Sequence, residues 1–135
     1  MRRILISLCV LAGLSGVVVP SALSTTQSTP KLPAMKLKGN IARGKKVFIS
    51  AGCSACHELK AAHHPPNAYA GGPNLDKLKP SFALVVKTVA LGKGPADGGM
   101  PAFSKVKGAS TYIQTVLTSQ QIADVAKYVS TVAGR

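Results

Sequence analysis

Cys53-Ser54-Ala55-Cys56-His57 decides how the rest of this chain reads. Two thiols separated by two residues and followed at once by an imidazole form the attachment motif for a c-type haem. That spacing lets the two sulfurs reach vinyl groups on adjacent pyrroles, and the next residue aims its imidazole at the iron. Other uses of the pair fit less well. A thioredoxin-like dithiol needs a βαβ setting, and the flanking sequence shows no convincing strand pair. A zinc site would need a fourth ligand beside Cys53, Cys56 and His57; His63 or His64 could serve, although consecutive Cys56 and His57 make an awkward chelate. A disulfide between Cys53 and Cys56 would close too small a loop to hold a domain together.

A haem iron takes a second axial ligand or keeps an open position. Met1 lies in the leader and Met35 in a tail, which leaves Met100, in Gly98-Gly99-Met100-Pro101-Ala102-Phe103. A thioether often only fills a gap in a core. Here the glycines and proline make a loop that can lay the sulfur against a flat ligand without side chains intervening, and enough chain follows His57 to pass round the ring edge. His63 and His64 are the alternatives, but they follow His57 so closely that reaching the far face is sterically hard. A ligating histidine usually donates its other ring N–H to a carbonyl, which fixes the ring. In Gly71-Gly72-Pro73-Asn74-Leu75 the Pro73 carbonyl is the candidate acceptor, with Leu75 packing on the macrocycle.

Working outward, three helices are expected. The first runs from Ile41 to Ala51 behind an Asn40 cap, with Ile41, Val47, Phe48 and Ala51 on one stripe and Gly52 as the stop. Gly44 lies on that stripe at a cost of about 1 kcal/mol in helix propensity, which close approach of another helix would justify. The second runs from Ser81 to Leu91, with Phe82, Val85, Val86 and Val89 facing inward and Gly92 beyond its end. The last opens on Thr118-Ser119-Gln120-Gln121, a capping box, with Leu117 and Ile122 as a hydrophobic staple. Ile122, Val125, Ala126 and Val129 form its stripe, with Tyr128 beside them. The fold class is all-α.

The ends carry other signals. Arg2 and Arg3, the apolar run from Ile4 to Val19 and the exit Pro20 to Ser24 read as a secretory signal over residues 1–24, cleaved after Ser24. An uncleaved anchor is the rival, but the run falls short of the ~20 apolar residues a spanning helix needs. Cys9 is a small apolar member of that run. Residues 25–39, rich in Ser, Thr, Pro and Lys, read as a flexible tail or linker, and 40–135 as one domain. Beyond the signal stand fifteen lysines and arginines against four acids, Glu58, Asp76, Asp97 and Asp124. Such an excess suits acidic partners; export argues against nucleic acid, and the lysines are scattered rather than run together. Aromatic residues are few, with three Phe, three Tyr and no Trp, so an apolar cofactor would supply core volume.

Taken together, Gly44 with Phe48, Cys53 to His57, Gly72 to Leu75, Met100 to Phe103 and Tyr128 make the chain resemble class I cytochromes c, the small monohaem proteins of bacterial periplasm, photosynthetic membranes and mitochondria. The resemblance implies three to five helices wrapped around one haem c, bound covalently through Cys53 and Cys56, with the first and last helices crossing at Gly44 and Tyr128. It implies His57 and Met100 as axial ligands, Pro73 as the proximal acceptor and Leu75 against the haem. It also implies a monomeric one-electron carrier, not an enzyme, between respiratory or photosynthetic partners outside the cytoplasm. The partners would be acidic redox proteins such as an oxidase or reductase complex, and membrane association would come through a partner or an uncleaved anchor. The alternative is a haem enzyme, or a gas or peroxide sensor, with a displaceable Met100; a subunit docked permanently in a larger complex would differ only in its partner. The chain departs from compact members in its longer loop from Glu58 to Gly72, in the added stretch from Lys105 to Val116, and in lacking Trp. Tyr69 or Tyr112 could replace that Trp beside a haem propionate.

Overall fold

The computed structural model describes residues 32–63, 71–94, 99–110 and 115–135. The expected signal segment, His64, Tyr69, Asp97, Gly98 and Tyr112 lie outside the described residues. Five α-helices are found among those described: α1 (Ile41–Ser50), α2 (Cys53–Cys56), α3 (Leu75–Leu78), α4 (Phe82–Leu91) and α5 (Ser119–Val132). Short 3₁₀ turns sit at Pro33–Lys36 and Lys60–Ala62. No strand occurs among the described residues, so the class is all-α.

The caps behave as the side chains dictate. The Asn40 carboxamide oxygen accepts from the Arg43 N–H at 2.9 Å, and the Ser81 hydroxyl accepts from Leu84 N–H at 3.2 Å. At α5 the capping box closes in both directions: Thr118 Oγ1 accepts from Gln121 N–H at 3.2 Å, and Gln121 Oε1 accepts from Thr118 N–H at 2.9 Å. Leu117 and Ile122, the expected staple, are both buried. The stripes need two adjustments. Ile41, in the first turn of α1, is exposed, and Phe82 is only half-buried at the corresponding end of α4.

α1 packs on α5 without room for a side chain at Gly44. A Cβ there would run into the Asp124 carbonyl oxygen and come within 2.6 Å of Tyr128 Cβ. The glycine therefore exchanges helix propensity for backbone-to-backbone approach. Phe48 and Tyr128 meet edge to face beside it, their ring centroids 5.9 Å apart. An acidic residue is buried in the same seam. Asp124 is 1% exposed and takes hydrogen bonds from Arg43 Nε at 2.7 Å, Arg43 Nη2 at 3.1 Å, Asn40 N–H at 2.7 Å and Gln120 Nε2 at 2.9 Å. Burial pushes its carboxyl up, but the donors from Arg43, Gln120 and Asn40, with the Arg43 charge, outweigh burial and hold it below the usual carboxylate range.

The expected tail is corrected along its second half. Residues 32–39 do not behave as a linker: Leu32 is 3% exposed and Ala34 2%, and both belong to the core that α4 and α5 share. Gln120 Nε2 donates to the Lys38 carbonyl at 3.0 Å, and a Cβ on Gly39 would meet the Ala123 carbonyl oxygen. The folded body thus begins at least as early as Leu32. Pro33 and the polar flanks hide this in the sequence, because two buried residues in a 3₁₀ turn make no periodic pattern.

Candidate functional site

The motif sits on one short helix. Gly52, with φ 76°, takes a left-handed conformation that ends α1 and redirects the chain into α2, which carries both cysteines. No disulfide joins the two; Cys56 is exposed and Cys53 partly covered. His57 follows in extended backbone. Its Nδ1 lies 3.0 Å from the Pro73 carbonyl oxygen, so donation to that oxygen leaves Nε2 unprotonated and available to a metal. Pro73 is where the sequence expected it.

The loop bearing Pro73 is held close to the imidazole by its own chemistry. A Cβ on Gly72 would come within 2.6 Å of the Cys56 carbonyl oxygen and 2.8 Å of His57 Nδ1 and Cε1. Only a residue without a side chain lets the loop lie against the ring. Leu75 N–H donates to the Glu58 carbonyl at 2.9 Å, and Asn74 Nδ2 donates to Glu58 Oε2 at 2.5 Å. Asp76 takes the N–H groups of Lys60 at 2.8 Å and Gly134 at 2.9 Å, and those bonds lower its carboxyl from the ordinary value. Together they clip the segment after His57 to α3 and to the C-terminal end of the described chain.

One cavity of about 430 Å³ brings these parts together, in the size range of cofactor sites. Cys53, Cys56 and His57 line it, as do Pro73 and Leu75, and Met100 with Pro101 and Phe103 joins from a second loop. Phe48 of α1, Val85 and Val89 of α4, and Val125 and Val129 of α5 supply apolar wall. All six residues singled out from the sequence, Cys53, Cys56, His57, Pro73, Leu75 and Met100, border the same space. His63 does not: it is exposed, at φ 54°, and absent from the lining.

A haem fits this donor set and this wall. Leu78 and Leu84, 50% and 46% exposed, line the cavity, so the apolar surface they present is surface a macrocycle would cover. The thiols and imidazole are the groups that would anchor and ligate it. Apart from them, Lys93 is the only ionisable side chain among the described lining residues. The sequence reading passed over Ser104, which helps hold the Met100 loop, and read Gly92 only as a helix stop although it also lies under that loop. A small hydroxyl directly after a buried Ala–Phe pair gives no periodic signal.

The comparisons agree with this geometry. A family model described as cytochrome c matches residues 41–133. No curated protein matches the chain. Among solved structures, the c-type cytochrome SorU from Sinorhizobium meliloti is 37% identical, with a TM-score of 0.53, over 70% of this chain and 92% of that one. SoxXA from P. pantotrophus is 26% identical, with a TM-score of 0.54, over 73% of this chain and 85% of that one. The chain belongs to the cytochrome c family, a haem c protein attached through Cys53 and Cys56 whose general role is electron transfer.

Proposed function

We propose that this protein is a one-electron carrier working outside the cytoplasm, moving electrons between larger acidic redox proteins and performing no bond chemistry of its own. The observation that carries the reading is the meeting of Cys53, Cys56, His57 and Met100 at one apolar cavity. Haem, when bound, supplies an iron that gains and loses one electron. Cys53 and Cys56 would hold it, and His57, its ring fixed by Pro73, would ligate it. The Met100 thioether would supply the other protein ligand, and an imidazole with a thioether gives a higher potential than two imidazoles. The valines and phenylalanines around it exclude water. Lys93 is the one cation of the described lining, which holds no imidazole besides His57 and no guanidinium. A haem enzyme or peroxide sensor would use such a group to move protons on a bound ligand, so the carrier reading is preferred.

Charge supports the choice of partner. The three described acids are engaged internally: Glu58 with Asn74, Asp76 with two backbone N–H groups, and Asp124 with Arg43, Asn40 and Gln120. The lysines are left to face solvent. Lys77 and Lys79 flank Leu78, Lys87 lies one turn beyond Leu84, and Lys93 lines the cavity itself. A cationic ring around an exposed apolar edge would draw an acidic redox protein to the side from which electrons leave.

The test uses the exported protein. Denaturing electrophoresis should leave haem on the polypeptide, Cys56→Ala should weaken that retention, and mass spectrometry should find a chain beginning after Ser24. Haem fully extracted from the wild type by acidified organic solvent would contradict covalent attachment. An exported chain that still carries Met1 would favour a retained anchor.

A further inference from the structure

The loop that presents Met100 is fastened mainly to the C-terminal end of α4, with one further bond from Leu117 N–H to the Phe103 carbonyl at 2.7 Å. The last carbonyls of a helix have no donor within the helix and must find one elsewhere. Here the Met100 loop supplies them. Phe103 N–H donates to Val89 O at 2.9 Å, the Ser104 hydroxyl donates to Ala90 O at 2.8 Å, and Ser110 N–H donates to Leu91 O at 2.7 Å. In return Lys93 N–H donates to the Met100 carbonyl at 2.8 Å. Gly92, at φ 69°, turns the chain under this loop; a Cβ there would come within 2.6 Å of Ala102 N and 2.9 Å of Met100 O.

Of these bonds only one is made by a side chain. Ser104 is 6% exposed, its hydroxyl donates to Ala90 O, and it accepts from Val106 N–H at 3.4 Å. Ala90, Ala102 and Phe103 around it are buried as well, so water cannot readily replace the bond. We propose that Ser104 is the positioning residue for Met100: its hydroxyl latches the ligand loop onto α4 and thereby sets how firmly the thioether stays at the metal. The proposal rests on the reading of Met100 as an axial ligand. Ser104 is not among the residues that line the cavity, so it acts through the loop.

The wild-type holoprotein, Ser104→Ala, Gly92→Ala and a control, Ile122→Ala, separate the possibilities. Ile122 is buried in α5 and does not line the cavity, so its truncation weakens the fold without touching the latch. Two readings are taken on oxidised protein: the weak long-wavelength sulfur-to-iron band, and the affinity for added imidazole, which competes with the thioether. Leaving a buried acceptor unpaired corresponds to about a tenfold change or more when the cost falls on the ligated state. Ser104→Ala should bind imidazole about tenfold more tightly with a weakened band, and Gly92→Ala, which pushes directly on Ala102 and Met100, should shift further in the same direction. Ile122→Ala should lower the unfolding midpoint yet leave band and affinity as in wild type. Ser104→Ala behaving as wild type would overturn the latch even if Gly92→Ala shifts, and so would an equal shift in Ile122→Ala. A wild type that lacks the band overturns the Met100 assignment itself, which is a different failure.

Discussion

Where α1 crosses α5, helix lies on helix and the contact is close. Around the haem cavity, much of the wall is loop: the Met100 loop hangs on carbonyls that α4 leaves free, and the Pro73 loop on Glu58. The first region is built from residues whose roles repeat along the chain, Val47 and Phe48 on one helix, Ile122, Val125 and Val129 on the other. The second depends on isolated residues, each placed once: Gly72 against the His57 ring, Pro73 at its Nδ1, Ser104 on Ala90. The crossing holds the shape of the molecule, and the loops tune what the cofactor does. Damage to the crossing should therefore show in unfolding, and damage to the loops in ligation.

The largest effect on stability is expected at the crossing. Gly44→Val places a branched side chain against the Asp124 carbonyl oxygen and Tyr128 Cβ, and it should destabilise by about 3 kcal/mol or more, read by guanidinium unfolding. A loss below about 0.5 kcal/mol, within the ordinary range for surface changes, would mean that the helices can separate cheaply. Leu32→Ala comes next, since a large core residue is truncated; about 2–3 kcal/mol is expected. If the same change is silent, residues 32–39 are a tail after all.

Acid should act on the crossing before it acts on the thioether. Asp124 titrates below its unfolded value of ~3.9, so its contribution is fully present above that pH and is lost as pH falls through the lower folded value. Asp76 is lowered in the same direction by the Gly134 and Lys60 N–H groups and adds to the same acid limb. Asp124→Asn should flatten that limb and leave the protein less stable at neutral pH by about 1–2 kcal/mol. An unchanged acid profile would remove Asp124 as its cause. The smallest expected effect touches neither region's stability. Charge reversal at Lys79 and Lys93 should slow exchange with an acidic partner at low salt, and the difference from wild type should fade as the Debye length shrinks toward ~8 Å at physiological ionic strength. Equal rates for both proteins at low salt would reduce these lysines to solubility.

The two regions also differ in how legible they are from sequence. Asn40, the Thr118–Gln121 box and the α4 and α5 stripes announce the helices because caps and periodicity are local chemistry. Gly44 was readable because a glycine on an apolar stripe needs a reason, and the resemblance supplied Tyr128 as its neighbour. Asp124 was not, since its acceptance into the core depends on Arg43 and Asn40 from the far end of the domain. Leu32 and Ala34 lacked any repeat to betray them. At the cavity, Cys53 to His57 carried its own chemistry, and Pro73 and Met100 stood out by their flanks. Ser104 could not stand out: its partner is a main-chain carbonyl that exists only once α4 ends at Leu91 and the loop folds back over it.

The central claim is that Met100 closes the iron to outside ligands, which separates a carrier from an enzyme. Carbon monoxide added to the reduced holoprotein measures this directly by the change in its optical spectrum. The wild type should be unresponsive, and Met100→Ala should bind the gas readily while keeping its covalent haem; Met35→Ala, at the surface, should match wild type. Ready binding of carbon monoxide by the wild type would contradict the account and put the enzyme or sensor reading in its place.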